Sequence, residues 1–271
     1  MRLRKYHGLG NDYLVLEAPA REALEPALIR AICDRHRGPG GDGILLPVAS
    51  EAADFGVRIY NPDGSEAEKS GNGLRIFARW LVERRGAAAR FTVETLSGVV
   101  ACIVEDLDVE VAMGRASVTP LALATIGLDH PALTAAFDVS VGNPHCPVFT
   151  DAALDSLPWR AWGERVESHP HFPNRTNVQL ARVLAPDRLA ARIWERGAGE
   201  TQASGSSACA VAAAAVTSGR CPAGPLRVEM PGGVLHITVT PDLDLTLRGP
   251  VAPVCEFTLD SRWLAVFGLD V

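Results

Sequence analysis

With 271 residues, 47% of them hydrophobic and 21% charged, the chain can bury a large core and reads as an ordinary globular protein of one or two domains. The formal net charge of −6, with no basic block, disfavours a phosphate backbone as partner, so no nucleic acid is expected. The N-terminus runs into patterned sequence with no signal-type apolar stretch, the apolar run 208–216 is too short for a bilayer, and the six cysteines lack zinc-finger spacing; these point to a cytoplasmic protein with buried, reduced thiols, no metal site and no membrane partner.

In chain order, Pro26 at a first helical position predicts a helix over Pro26–Arg35. Alternating apolar residues predict a strand over Phe55–Tyr60, followed by the turn-rich Asn61-Pro-Asp-Gly-Ser. Ser70-Gly71 then opens a helical stretch with amphipathic spacing over Leu74–Leu81. Further strands are predicted at Phe91–Val93, Val99–Val104 and Val109–Met113, a crossover near Ala116–Thr125, and a short helix over Ala152–Leu157. Strands at Asn177–Val183 and Leu189–Trp194 lead through Glu195-Arg-Gly-Ala-Gly to Ser204-Gly205. The helix over Ala208–Val216 is apolar all round and therefore expected to be buried. Strands at Leu226–Glu229, Val234–Val239 and Leu243–Arg248 follow, and the last strand is expected to return to the first half.

Two of these stretches are copies of each other. Arg58-Ile59-Tyr60, Glu66 and Ser70-Gly71 recur as Arg192-Ile193-Trp194, Glu200 and Ser204-Gly205, every match at an offset of 134 residues and without a gap. Each copy runs strand, glycine-containing loop, Ser-Gly, helix. The N-terminus of a helix presents unpaired N–H groups and partial positive charge, a ready site for a carboxylate. Two such starts, Ser70-Gly71-Asn72-Gly73 and Ser204-Gly205-Ser206-Ser207, would grip one α-carboxylate if the halves face each other. Taken singly, each serine reads as an ordinary N-cap and each glycine as the residue that permits the turn.

The stretches His7-Gly-Leu-Gly-Asn-Asp12, Asp34 to Gly43, Asn61 to Glu66 leading to Gly71-Asn72-Gly73, Gly142-Asn-Pro-His145, Asn177, and Glu195 to Thr201 leading to Gly205 occur in the order found in diaminopimelate epimerases. Across essentially its whole length the chain resembles that family. The resemblance implies an α/β (α+β) fold of two pseudo-symmetric halves, each a curved mixed sheet wrapped around a central helix, with the active site in the cleft between them. The halves are expected at 1–116, joined by 258–271, and at 117–257. It implies an isomerase that interconverts LL- and meso-diaminopimelate, in the pathway to lysine and peptidoglycan precursors, by moving a proton from one face of the α-carbon to the other. No cofactor takes part, and a homodimer is implied.

In the family the two proton carriers are cysteines immediately before each helix-start glycine. Here those positions are Ser70 and Ser204. A thiol is acidic enough to serve as base and acid near neutrality, whereas a serine hydroxyl needs an adjacent base. By design or by divergence, the exchange predicts slow turnover. His145 and Glu195 resemble the family residues beside the proton carriers. Asn11 resembles a substrate contact; Gly71, Asn72, Gly205 and Ser206 would offer N–H groups to the α-carboxylate; Asn61, Asn143, Asn177 and Arg196 match residues that hold the distal end. The set fits an amino acid charged at both ends. Another amino-acid racemase on the same scaffold, or a non-catalytic amino-acid-binding paralogue, are the alternatives. A serine hydrolase is disfavoured because no Gly-x-Ser-x-Gly elbow surrounds either serine.

Overall fold

A computed structural model describes residues 1–17 and 24–267. Two compact units emerge, one from Met1–Val111 with Pro250–Val271 and one from Ala112–Gly249; residues 268–271 of the segment expected to return lie outside the described residues. The architecture is α+β, dominated by strands with few helices.

In the first unit, strand Arg2–Gly8 lies antiparallel between Asn11–Leu16 and Ala252–Thr258. Asn11–Leu16 pairs in parallel with Ile44–Val48, which pairs antiparallel with Phe55–Tyr60. Phe55–Tyr60 takes the two-residue strand Glu66–Ala67 and, in parallel, Arg90–Thr95; the hairpin to Gly98–Glu105 continues the sheet. In the second unit, Ser117–Leu121, Leu133–Ser140 and Pro144–Thr150 pair antiparallel, and Pro144–Thr150 pairs in parallel with Asn177–Ala185. Arg188–Glu195 pairs with Asn177–Ala185, with Gly199–Thr201 and in parallel with Gly224–Met230; Gly233–Val239 and Asp244–Pro250 follow.

The repeat seen in two short stretches runs through nearly the whole chain. Helix Pro26–Cys33 has its counterpart in Trp159–Glu167, and helix Gly71–Arg85 in Gly205–Thr217. The registers beside the helix starts agree residue for residue: Ile44 opposite Tyr60 matches Val178 opposite Trp194, and Tyr60 opposite Glu66 matches Trp194 opposite Glu200. A strand register cannot slip by one residue without turning its buried face outward.

Each unit wraps its sheet around one helix. Gly71–Arg85 packs on strands Arg2–Gly8, Asn11–Leu16 and Gly98–Glu105; Gly205–Thr217 is surrounded by seven strands of its unit. Every residue from Ser207 to Ala215 is buried, as the apolar sequence predicts, and its small side chains let the sheet approach closely. Helix Gly71–Arg85 departs from expectation. Its spacing predicts an amphipathic helix, yet Gly71–Ala78 is buried throughout, Arg75 included. That guanidinium is accommodated because it donates to the Pro250 carbonyl (3.2 Å) and to Asn72 Oδ1.

Other departures have local causes. The first helix stops at Cys33 rather than residue 35, because the Asp34 carboxylate accepts the N–H groups of His36 (2.7 Å) and Arg37 (2.9 Å) and turns the chain. Residues 152–157 form only a single 3₁₀ turn, Leu154–Ser156; the true helix is Trp159–Glu167, where a glycine and a glutamate take two of the four buried positions. The crossover near 116–125 contains a strand, Ser117–Leu121, and a 3₁₀ turn, Leu123–Ile126. Five of the six cysteines are buried and Cys255 is exposed. Among the described residues no helix is long and apolar enough to cross a membrane.

The repeats adjust to each other's side chains by size. Tyr60 and Ile29 share one core, whereas at the matching positions the larger Trp194 meets Gly163. A Cβ at residue 163 would stand 2.7 Å from Trp194 Cγ and 2.8 Å from its Cβ, atoms that cannot swing away. Alanine in a helix gains about 1 kcal/mol over glycine, but overpacking costs about 1–3 kcal/mol. Gly163→Ala is therefore expected to lower the urea midpoint of unfolding. An unchanged or raised midpoint would show that this contact is slack.

Candidate active site

The two helix starts share backbone form and differ in what surrounds them. Ser70 and Ser204 both sit in extended backbone (φ −136°, ψ 119° and φ −143°, ψ 124°), as N-cap residues do. Ser70 caps its helix: its Oγ accepts the Gly73 N–H at 3.0 Å. It also lies 3.1 Å from the phenol oxygen of Tyr13. Ser204 makes no side-chain cap; its hydroxyl donates to the Glu195 carboxylate at 3.1 Å. In both helices the first-turn N–H groups, those of Gly71 and Asn72 and of Gly205 and Ser206, have no acceptor within the helix.

Around the first start, amides form a directed chain. Asn72 Nδ2 donates to Asn11 Oδ1 (3.0 Å), and Asn11 Nδ2 donates to Asp42 Oδ2 (2.8 Å). Asp42 also accepts the Asp12 N–H (3.0 Å), and Arg35 bridges Asp12 and Asp42. Burial acts to raise Asp12, but hydrogen bonds from Arg35 and Lys5 outweigh it and hold that carboxyl below the usual range. Asp42 is pushed up by its own burial and by the Asp12 charge, an effect its bonds to the Asp12 N–H and Arg35 only partly offset. Asn61 is absorbed in its turn, where its Nδ2 donates to Ser65 Oγ (3.0 Å).

The second start is built from different groups at the same positions. Under the 134-residue offset His145 corresponds to Asn11 and Glu195 to Asn61, so two amides are replaced by an imidazole and a carboxylate. His145 is fully buried. The Gln179 amide nitrogen donates to its Nδ1 (3.0 Å) and to Ser207 Oγ (3.0 Å), which leaves the imidazole proton on Nε2, facing Asn143 Oδ1 at 2.9 Å. Burial, aided by the Arg196 charge, pulls the His145 pKa down to about 3, so the ring is neutral at physiological pH. It touches Asn143 and Gln179; the group on Ser204 is Glu195.

Asn177 and Arg196 meet through the backbone. Asn177 accepts the Arg196 N–H (3.0 Å) and donates to the Pro144 carbonyl (2.9 Å), while the exposed Arg196 guanidinium rests on the Asn174 carbonyl (3.1 Å). Beneath this loop lies buried Glu167, which accepts from Gly197 N–H (2.7 Å) and Trp194 Nε1 (2.7 Å) and pairs with Arg175. Sequence reading misses Tyr13, Asp42, Glu167 and Gln179. Tyr13 and Gln179 sit in strands where they pass for core residues, and Glu167 ends a helix that the pattern does not reveal.

Each unit thus presents a buried helix with a serine at its start and hydrogen-bonding side chains gathered beside it. The same fold occurs in the phenazine biosynthesis protein of the PhzF family from Bacillus anthracis (TM-score 0.74, 19% identity, 96% of this chain and 99% of that one). It occurs also in a hydroxyproline epimerase from Agrobacterium vitis with bound trans-4-hydroxy-L-proline (TM-score 0.71, 15% identity, 95% and 91%). The narrower assignment comes from sequence. The family model for diaminopimelate epimerase matches residues 3–119 and 137–252, and a diaminopimelate epimerase 2 of Nostoc sp. is 41% identical over 281 residues, 98% of each chain. The chain belongs to the diaminopimelate epimerase family, a family of isomerases.

The neutral, buried His145 carries a stability consequence. Its folded pKa lies near 3, below its unfolded value of 6.5, so between those values the unfolded chain binds a proton that the folded chain does not. Stability therefore falls as pH drops from about 6.5 toward 3, at up to about 1.4 kcal/mol per pH unit from this residue. Replacing His145 by Asn is expected to flatten the curve of unfolding free energy against pH by that slope. Parallel curves for the two proteins would place the acid sensitivity elsewhere.

Proposed function

We propose that this chain is a cofactor-independent amino-acid epimerase acting on diaminopimelate, the compound in the names of its relatives, with Ser70 and Ser204 in the two proton-carrier positions. The observation that carries the reading is the matched pair of helix starts, each with a serine at the same register in its repeat and each supplying first-turn N–H groups suited to an α-carboxylate. On this reading Gly71, Asn72, Gly205 and Ser206 hold the α-carboxylate, which makes the α-proton more acidic by stabilising charge as it develops. Asn11 contacts the substrate, and Asn61, Asn143, Asn177 and Arg196 serve its distal amino acid end, where the exposed guanidinium can grip a carboxylate in bidentate fashion. His145, held neutral and fixed by Gln179, acts by orientation and hydrogen bonding rather than by charge. Glu195 receives or returns the proton that Ser204 carries.

The serine pair favours a second reading, an amino-acid-binding protein that captures diaminopimelate without turning it over. An alcohol is a far weaker acid than a thiol, and a general acid–base group contributes about 10²–10⁴-fold to rate.

The decisive experiment follows α-hydrogen exchange in deuterated water alongside calorimetric binding of meso-diaminopimelate. The double variant Ser70→Cys with Ser204→Cys should exchange faster than the parent by at least about 10²-fold. Binding with no exchange by parent or variant would select the binding protein, and no binding at all would overturn both readings.

A further inference from the structure

We propose that Tyr13 is the proton-holding partner of Ser70, so that each serine works with an ionisable neighbour: a phenol beside Ser70, the Glu195 carboxylate beside Ser204. The proposal rests on the two-carrier reading above and deepens it.

Two observations support it. The Tyr13 phenol oxygen lies 3.1 Å from Ser70 Oγ, the same hydrogen-bond range as the 3.1 Å between Ser204 Oγ and Glu195. The Tyr13 ring reaches that position past residue 43, where the backbone leaves no room for any side chain. A Cβ on Gly43 would stand 2.5 Å from Tyr13 Cε1 and 2.5 Å from the Tyr60 carbonyl. Tyr13 is otherwise enclosed, 6% exposed, so its hydroxyl is the polar end of a packed ring held against the helix start. Phenols ionise near pH 10 and carboxylic acids near pH 4, both far below an alcohol. A serine passing its proton to such a neighbour can do work that it cannot do alone.

The step balances without a further reactant. On the face served by Ser204 the Cα–H bond breaks and its electron pair stays on the substrate. The proton bonds to Ser204 Oγ as the hydroxyl's own proton passes to Glu195. On the other face the Ser70 O–H bond breaks, its proton bonds to Cα, and the Tyr13 phenol proton replaces it on Ser70 Oγ. Glu195 is then protonated and Tyr13 is a phenolate. One proton moving between them through solvent restores the start, and the reverse reaction runs the same transfers backward. In this relay the carboxylate serves as the base and the phenol as the acid. Tyr13 acts through Ser70 and is a positioning and proton-holding residue rather than one that touches substrate.

The test measures α-hydrogen exchange and inversion in deuterated water from LL- and from meso-diaminopimelate, with the parent protein, Tyr13→Phe and Glu195→Gln. Tyr13→Phe keeps the ring and its packing. It should lose exchange from one isomer by about 10²–10⁴-fold while the other isomer still exchanges without inverting. Glu195→Gln should show the opposite pattern. A purely structural role for Tyr13 would slow both isomers alike, and that result, or a Tyr13→Phe protein within about threefold of the parent, overturns the proposal. A parent that binds meso-diaminopimelate but exchanges neither isomer overturns the relay and leaves the binding reading. A parent that does not bind overturns the assigned function itself.

Discussion

Everything at the candidate site depends on the short strand pairing that precedes each central helix. Glu66 opposite Tyr60 and Glu200 opposite Trp194 fix where the chain leaves the sheet, and the helix starts five residues later, at Gly71 and at Gly205. Because side chains alternate along a strand, the register also decides which residues lie over the helix start. The position of Ser70 or Ser204 is therefore a property of the sheet, and the helix inherits it.

On that shared frame the two repeats have come to carry different chemistry. Position by position, amides stand in one half where titratable groups stand in the other, Asn11 against His145 and Asn61 against Glu195. One serine hydroxyl caps its helix; the other leaves the helix uncapped and spends its proton on a carboxylate. Burial deepens the difference. It keeps His145 neutral, so the imidazole brings no charge to the second helix start. Moving a proton from one face of a stereocentre to the other needs one carrier deprotonated and the other protonated, a difference of state that two like groups can supply; here the neighbours of the two serines differ in kind as well, a carboxylate beside Ser204 and a phenol beside Ser70.

Much of this was legible in the sequence because it depends on local pattern. The duplicated Arg-Ile-aromatic, Glu and Ser-Gly matches disclosed the repeat, and the apolar helix over 208–216 disclosed its own burial. What is not legible there depends on contacts between distant segments. Helix Trp159–Glu167 is masked by a glycine that exists to admit Trp194. Arg75 turns an apparently amphipathic helix into a buried one, because its charge is answered by a carbonyl at residue 250. Tyr13 and Gln179 look like ordinary strand residues until their hydroxyl and amide are traced to Ser70 and His145. No periodicity reports a hydrogen bond across 57 positions of sequence.

The edge strands of the two sheets have a further meaning. Ser117–Leu121, which closes the first repeat, lies against Leu133–Ser140 at the beginning of the second, and Ala252–Thr258, which closes the second, lies against Arg2–Gly8 at the beginning of the first. Each repeat thus lends its final strand to the other's sheet. A lone copy would leave an open edge with unpaired backbone groups and a spare strand of matching kind, the two ingredients that drive identical chains to trade segments. Joined in one polypeptide, the exchange is satisfied internally.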